Sequence, residues 1–579
     1  MFKFLTDKIF NGQSRSITSA ALVLALASLA SRFLGLLRDR LLAGQFGAGD
    51  TLDVYYAAFR IPDTVYNLLV LGALSAGFIP VFIGLWNRPS TSLGNNNYSP
   101  SDLSRAEARE VEGSKNRREV WDFVNNVLNI LGLGLMVVAA VFFIFAPFFV
   151  KLITPGFGTD KMNLTVALTR VMFLSPILLG ASSIWGGILQ GVKKFLIFSL
   201  TPIFYNLGII FGILFLVPRF GIYGLAWGVV LGAFLHMAIQ IPSILSLGYK
   251  YRPIFNWADS AARRMAKLTV PRILTLAVAQ INFLAITILA STLAAGSLAI
   301  FDLSYNIYSF PLGILAGSLA MAAFPALAGD AKAGDKNAFA KTLSSTFRQI
   351  LFLIIPASAL FIVLRAQIVR VILGTGRFSW ANTISAINTL EFLVVGLFAE
   401  ALNLLLVRGF FALEDTKTPF WLGFLSSFVR IGLAWYFSFS LGVAGLALGY
   451  ALGGILNMVL LWLSLERKTG RAFPADSGKS GVSSLLFGEI FASGVKILSA
   501  SILTGVVAWR VLLFMDKFVD TRTLLGLLAQ GFIAGIAGLI IYFLAGLLLR
   551  SPEMQIFWQA MKNRLPFKQV ASDKEIIQD

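Results

Sequence analysis

The stretch SRFLGLLRDRLLAGQFGAGDTLD, Ser31 to Asp53, sets Arg32, Arg38, Asp39, Arg40 and Asp53 into otherwise apolar sequence. Guanidinium forks bind phosphate and pyrophosphate oxygens bidentately, so arginines in grease suit an anionic ligand. At about 100° per residue, Ser31, Arg32, Gly35, Arg38 and Asp39 share an arc of roughly 120° on one helix. Arg40 points to the opposite side, where anchoring at the headgroups by snorkelling is the better reading. The next helix repeats the pattern, with Asp53, Tyr56, Arg60, Asp63 and Asn67 along one face. A charge at the bilayer centre costs about 2.5–3.5 kcal/mol on insertion scales, so both stripes are expected to face protein or water. The expectation is a cationic cavity, with Asp39 and Asp53 holding the arginines or taking part in coupling.

Other chemistries find little support in the residues. With no cysteine, disulfides, thiolate metal sites and cysteine nucleophiles are excluded. The single histidine, His236, sits in the apolar run GVVLGAFLHMAIQIP and reads as a packing residue before a proton relay. Gly478-Lys479-Ser480 looks like the end of a phosphate loop, but the glycine required five residues earlier is Phe473. HExxH and GxSxG patterns are absent, and Glu391 and Glu400 have no partner identifiable from sequence. No metal or cofactor is expected, and transport driven by an ion gradient or the membrane potential fits better than catalysis.

The elements that must carry these residues are membrane spans. The chain has 579 residues, 57% hydrophobic and 13% charged, with its charges gathered in islands between runs long enough to cross a bilayer. Such runs lie at about 17–43, 52–86, 121–149, 164–190, 198–217, 222–247, 268–295, 300–327, 342–364, 385–411, 418–440, 441–464, 487–511 and 524–549. The fold class is therefore an all-α polytopic membrane protein of about 14 transmembrane helices. Lysine and arginine favour alternate loops by about three to one, which puts both termini in the cytoplasm. The net charge of +19 is then a topology signal, and no nucleic-acid partner is needed. The first 16 residues read as a cytoplasmic tail before a retained first span. The polar segment 87–120 reads as a cytoplasmic loop, helical from Asp102.

A weak internal duplication organises the spans. LGALSAGFIP, ending at Pro80, resembles LAGSLAMAAFP, ending at Pro325. VKLITPGF at 150–157 pairs with VRVILGTGRF at 369–378, and the segment from Gly191 to Pro202 pairs with that from Gly409 to Pro419. These offsets, about 217–245 residues, keep their order. Six helices per repeat give both repeats one orientation, related by a pseudo-two-fold axis along the membrane normal. The expected domains are an N-lobe at 17–250, a C-lobe at 251–465, and a final helix pair with a cytoplasmic tail at 466–579.

The run SRFLGLLRDRLLAGQFGAGDTLDVYYAAFRIPD, with GALSAGFIPVF, TPGF, Thr201-Pro202 with Asn206, FPLGILAGSLAMAAFP, GRF and EDTKTP, resembles the MurJ (MviN) lipid II flippase family. That family lies within the multidrug/oligosaccharidyl-lipid/polysaccharide exporter superfamily. The resemblance runs from about Ser16 to Pro419 and is most specific in the first two helices. It implies two six-helix lobes around a cationic central cavity, with a final helix pair forming a groove for an undecaprenyl tail. It also implies that lipid-linked peptidoglycan precursor moves from the inner to the outer leaflet of the bacterial plasma membrane. Membrane lipids and proteins of cell-wall synthesis are the further partners implied. The family's first-helix serine, two arginines and aspartate map onto Ser31, Arg32, Arg38 and Asp39, and its second-helix aspartate onto Asp53. Three positions depart from the family pattern: a second-helix arginine is here Tyr66, an acidic residue is Leu71, and an eighth-helix arginine is Asn306. Arg60, Arg272 near the start of the seventh helix, and Arg430 are the candidates to compensate.

Four readings fit the sequence. The first is a lipid II flippase working by alternating access. The others are a flippase for another polyprenyl-linked oligosaccharide, a small-molecule antiporter of the same superfamily, and a non-transporting cell-envelope scaffold.

Overall fold

The computed structural model describes residues 17–72, 77–87, 104–472, 487–555 and 558. The expected tail 1–16, the first part of the 87–120 loop and the Gly478-Lys479-Ser480 segment lie outside the described residues. Among those described the regular structure is all helical, with no strand.

Eleven expected spans appear as ten long apolar helices plus the pair Trp380–Val395 and Leu397–Ala412, which bends by 42°. The expected count of fourteen is not reached on this measure, and the shortfall has local causes. The span expected at 17–43 is the single helix α1, Ile17–Phe46, carrying Arg32, Arg38, Asp39 and Arg40 in its second half. The span expected at 52–86 comprises α2, Asp50–Val65, a π-helical turn Tyr66–Leu71, and Ile79–Trp86, with 73–76 outside the described residues. The one expected at 268–295 belongs to the long helix Ser260–Ser291, of which only Leu276–Ser291 is strongly apolar.

The chain divides into two compact units: one of residues 1–302 with 376–382, the other of 303–375 with 383–579. The helix Ser297–Pro311 passes from the first to the second.

In the first unit, two aromatic-rich cores hold the helices together. One gathers Phe78, Phe82, Trp121, Phe123, Ile188 and Tyr249, the other Ile61, Val65, Leu135, Val150 and Phe173. The helices Phe195–Phe211 and Tyr223–Ala238 meet through glycine. A Cβ on Gly208 would lie 2.3 Å from the Cα of Gly232, and one on Gly212 would lie 2.4 Å from the Cα of Gly228. The four-residue spacing of Gly208 and Gly212, and of Gly224, Gly228 and Gly232, is the small-xxx-small pattern that lets membrane helices touch backbone to backbone.

Traces of the duplication survive as matched local geometry. The π-helical turns Tyr66–Leu71 and Leu312–Ala316 run into the two matched segments that end at Pro80 and Pro325. Gly156 of TPGF packs on the end of helix Ser260–Ser291, where a Cβ would stand 2.1 Å from the Ser291 carbonyl oxygen. Gly376 of the TGRF counterpart packs in the same way on the end of α1, where a Cβ would stand 2.2 Å from the Gly44 oxygen, and the Arg377 amide donates to that oxygen at 2.8 Å.

In the second unit, the last two helices, Phe487–Met515 and Leu524–Leu548, are fixed to Lys336–Val363 and the short helix after it. The Tyr542 hydroxyl donates to the Phe352 oxygen at 2.7 Å, Gln367 donates to Gln530 at 3.1 Å, and Arg370 donates to the Thr521 oxygen at 2.8 Å. Arg348 faces Glu489 at 3.4 Å and Glu553 at 3.5 Å.

Candidate functional site

The first polar stripe packs against a neighbouring helix. Arg38 donates through Nε and Nη2 to Asp39 Oδ1, at 3.0 and 2.8 Å, and through Nη1 to Asn206 Oδ1 at 3.3 Å. Asn206, on Phe195–Phe211, turns its Nδ2 back to α1 and donates to Ser31 Oγ at 3.3 Å. Ser31 and Arg38, two turns apart, therefore meet one asparagine, as helical periodicity requires of residues on one face. The Asp39 side chain is 1% exposed and the Arg38 side chain 21% exposed. An uncompensated carboxylate at that burial would be costly, and Arg38 supplies the compensation. A Cβ on Gly35 would meet open space, so Gly35 leaves room on the same stripe. Arg32, on the same stripe, is half-buried. Arg40 is also half-buried.

The second stripe is built differently from expectation. Asp53 holds no arginine: Lys161 donates to its Oδ2 at 2.9 Å, and the amides of Gly296 and Ala299 donate to its two oxygens at 2.8 and 3.0 Å. Gly296 and Ala299 sit at the start of helix Ser297–Pro311, where unpaired amides and the helix dipole favour a carboxylate. Lys161 reaches Asp50 as well, at 2.7 Å, and lies over the Phe157 ring.

Arg60 finds the partner that Asp53 does not provide. Its Nη2 donates to both oxygens of Asp302 at 2.8 Å, its Nε donates to Thr287 Oγ1 at 2.9 Å, and its guanidinium lies over Phe283. Asp63 accepts from Asn67 at 2.9 Å, one turn along the same helix. The Tyr66 hydroxyl is 3.2 Å from Ser183 Oγ. Asn306 and Arg272 are half-buried, and Leu71 lies outside the residues with described side chains.

Residues that sequence left without partners are resolved elsewhere. Glu400 accepts from Arg430, whose guanidinium lies over the Tyr450 ring with 4.1 Å to its centroid. Glu391 faces Arg365 at 3.0 Å. His236 Nδ1 lies 2.6 Å from Ser182 Oγ, and Gln240 donates to the same hydroxyl, a helix-packing arrangement. Asp302 and Asn206 are the polar residues that sequence reasoning passed over as partners. Asn206 stood in the quoted motif, but nothing local shows that it reaches α1. No cluster of histidine, aspartate or glutamate arranged to hold a metal occurs among the described residues.

The fold is that of polytopic membrane transporters. A solved structure of lipid II flippase MurJ in an inward closed conformation superposes with a TM-score of 0.70 at 23% identity, covering 93% of this chain and all of that one. An inward-facing transporter of the multidrug resistance MATE family, of the MOP superfamily, gives 0.60 at 16% identity, over 77% of this chain and 98% of the other. The family model described as lipid II flippase MurJ matches residues 42–528, and the chain belongs to that family. Similar proteins include the probable lipid II flippase MurJ of Vibrio cholerae, 27% identical over 86% of this chain and 90% of its own. The corresponding protein of Rhizobium tropici is 27% identical over 93% of this chain and 96% of its own.

Proposed function

We propose that the chain is a lipid II flippase that moves undecaprenyl-pyrophosphate-linked peptidoglycan precursor from the inner to the outer leaflet of the bacterial plasma membrane. The observation that carries this reading is the family match together with Arg38 and Arg60, guanidinium groups held within a membrane-spanning unit by carboxylates. Charges this costly to bury are kept in a membrane protein for a ligand or a pathway. Ser31, Arg32, Gly35, Arg38, Asp39, Asp53 and Arg60 are the proposed lining of a central cavity, with Asn306 and Arg272 as further candidates. The lobes proposed at 17–250 and 251–465 alternate access to it, driven by the membrane potential or an ion gradient, with both termini cytoplasmic. Membrane lipids surround it, and proteins of cell-wall synthesis are its proposed neighbours.

The test is rescue of a bacterium depleted of its own flippase, paired with mass spectrometry of lipids co-extracted with the purified protein. Rescue with lipid-linked precursor in the extract supports the assignment. Bulk phospholipid alone without rescue removes it and favours a scaffold.

A further inference from the structure

After the span Tyr223–Leu245 the chain does not turn directly into the next helix. It runs as an irregular segment from Ser246 to Asp259. Three asparagines on helix Ser104–Ile144 bind that segment to the start of the span Arg117–Ile144. Asn125 donates to the Lys250 oxygen at 3.0 Å and accepts from the Tyr249 hydroxyl at 2.7 Å. Asn126 exchanges hydrogen bonds with the backbone of Asn256, donating at 2.9 Å and accepting at 2.7 Å. Asn129 donates to the oxygens of Arg252 and Ile254 at 2.9 and 3.0 Å. All three asparagines are buried. Burial, with the neighbouring Tyr251, pushes the Tyr249 hydroxyl up to about 12, so it stays a donor to Asn125.

Fixing an irregular backbone in this way costs conformational entropy, about 1–2 kcal/mol per residue. What the fixed strap displays is unusual for that outlay. Tyr251, Phe255 and Trp257 are 62%, 52% and 67% exposed. Lys250, Arg264 and Lys267 are exposed beside them, and Arg263 Nε donates to the Trp257 oxygen at 3.3 Å, joining strap to helix. The nearby carboxylates are already engaged: Asp259 accepts from the amides of Ala261 and Ala262, and Asp122 faces Arg252 at 3.4 Å. The strap directly follows the end of the candidate span Tyr223–Leu245, and tyrosine and tryptophan are enriched where spans end at the headgroup layer.

We propose that the strap Tyr249–Asp259, with the first turns of the helix that follows, is an interfacial anchor that binds the headgroups of anionic phospholipid. The asparagines hold the aromatic rings at one depth, and the unpaired cations take lipid phosphates. A juxtamembrane lysine or arginine contributes about 1 kcal/mol of attraction to an anionic surface, a factor of about five.

The experiment titrates the detergent-purified full chain with short-chain phosphatidylglycerol or phosphatidylcholine and reads the midpoint of the thermal stabilisation. Phosphatidylglycerol is expected to stabilise the protein at lower concentration than phosphatidylcholine. The triple variant Lys250→Ala, Arg264→Ala, Lys267→Ala raises that midpoint roughly a hundredfold, while Lys336→Ala with Lys341→Ala, at the start of another helix, leaves it in place. Lys250, Arg264 and Lys267 are exposed, so folding of the triple variant in lipid-free detergent should survive. Trp257→Ala weakens the response to phosphatidylglycerol as an independent readout of the aromatic contribution. Equal responses to the two lipids, or equal shifts in the triple and control variants, would overturn the proposal.

Discussion

Arg60 and Asp302, 242 residues apart in sequence, meet with one guanidinium nitrogen 2.8 Å from both carboxylate oxygens. The family resemblance leads one to expect arginines where this chain has Tyr66 and Asn306. Arg60 precedes Tyr66 on its helix, and Asp302 precedes Asn306 by four residues, one helical turn. The charge of this region thus occupies earlier turns of the same helices, and it is present as a pair.

That pairing separates structural from functional roles. Asp302→Ala strands a buried guanidinium and is expected to destabilise the protein by about 3–5 kcal/mol, measured by thermal melting in detergent. Arg60→Leu with Asp302→Leu removes both charges and should recover most of that loss. Under the proposed function the double variant still fails to rescue a flippase-depleted cell. Recovery of both stability and rescue would make the pair a packing device only.

Asn206 is expected to act through Arg38. Asn206→Ala deletes a hydrogen bond to Arg38 and one to Ser31, which together tie this face of α1 to the helix Phe195–Phe211. A double-mutant cycle of Asn206→Ala with Arg38→Ala should show coupling of about 0.5–1.5 kcal/mol in stability. Each single variant should insert normally and lose transport. An additive cycle would detach Asn206 from the site.

The glycine contact in the first unit makes a different kind of prediction. Gly228→Leu forces a side chain into the place where Gly212 approaches and should cost about 1–3 kcal/mol through overpacking, or more where the helices separate. Gly35→Ala, facing open space, should melt like the parent protein. The comparison needs only thermal melts of the two purified variants.

Sequence makes the first stripe legible as a face because its own members lie within about two turns of one helix, whereas Asn206, the partner from another helix, stays hidden. Arg38 holds Asp39, its neighbour, and Ser31 and Arg38 share a face, so a helical wheel finds them. The second stripe was legible as a face but not as a set of bonds. Asp53 takes Lys161 and two amides at a helix start, and Arg60 takes Asp302; no periodicity within one helix reports a partner more than a hundred residues away. Hydropathy found eleven spans by length and apolarity. It places the first, second and seventh only by tolerating the charges and breaks that make those segments interesting. The duplication was visible as short matched motifs, and its physical content is that both TPGF-like glycines pack on a helix end.

Asp415 carries the pH prediction, because it lies between spans and its environment is complete. Burial raises its carboxyl, but hydrogen bonds from Lys468, the Thr418 hydroxyl and the Thr418 amide outweigh that and hold it at about 2, against 3.8 for the free group. The lowered value means the folded state binds its proton less tightly than the unfolded state does. The resulting stability is complete above about pH 4 and is lost as pH falls through the interval between 3.8 and about 2. Asp415→Asn keeps an acceptor for Thr418 but loses the charge that Lys468 meets. The variant should melt earlier than the parent at neutral pH, and the gap should narrow as pH falls through that interval. A gap that stays constant from neutral pH to pH 3 would show that the Asp415 carboxylate contributes shape alone.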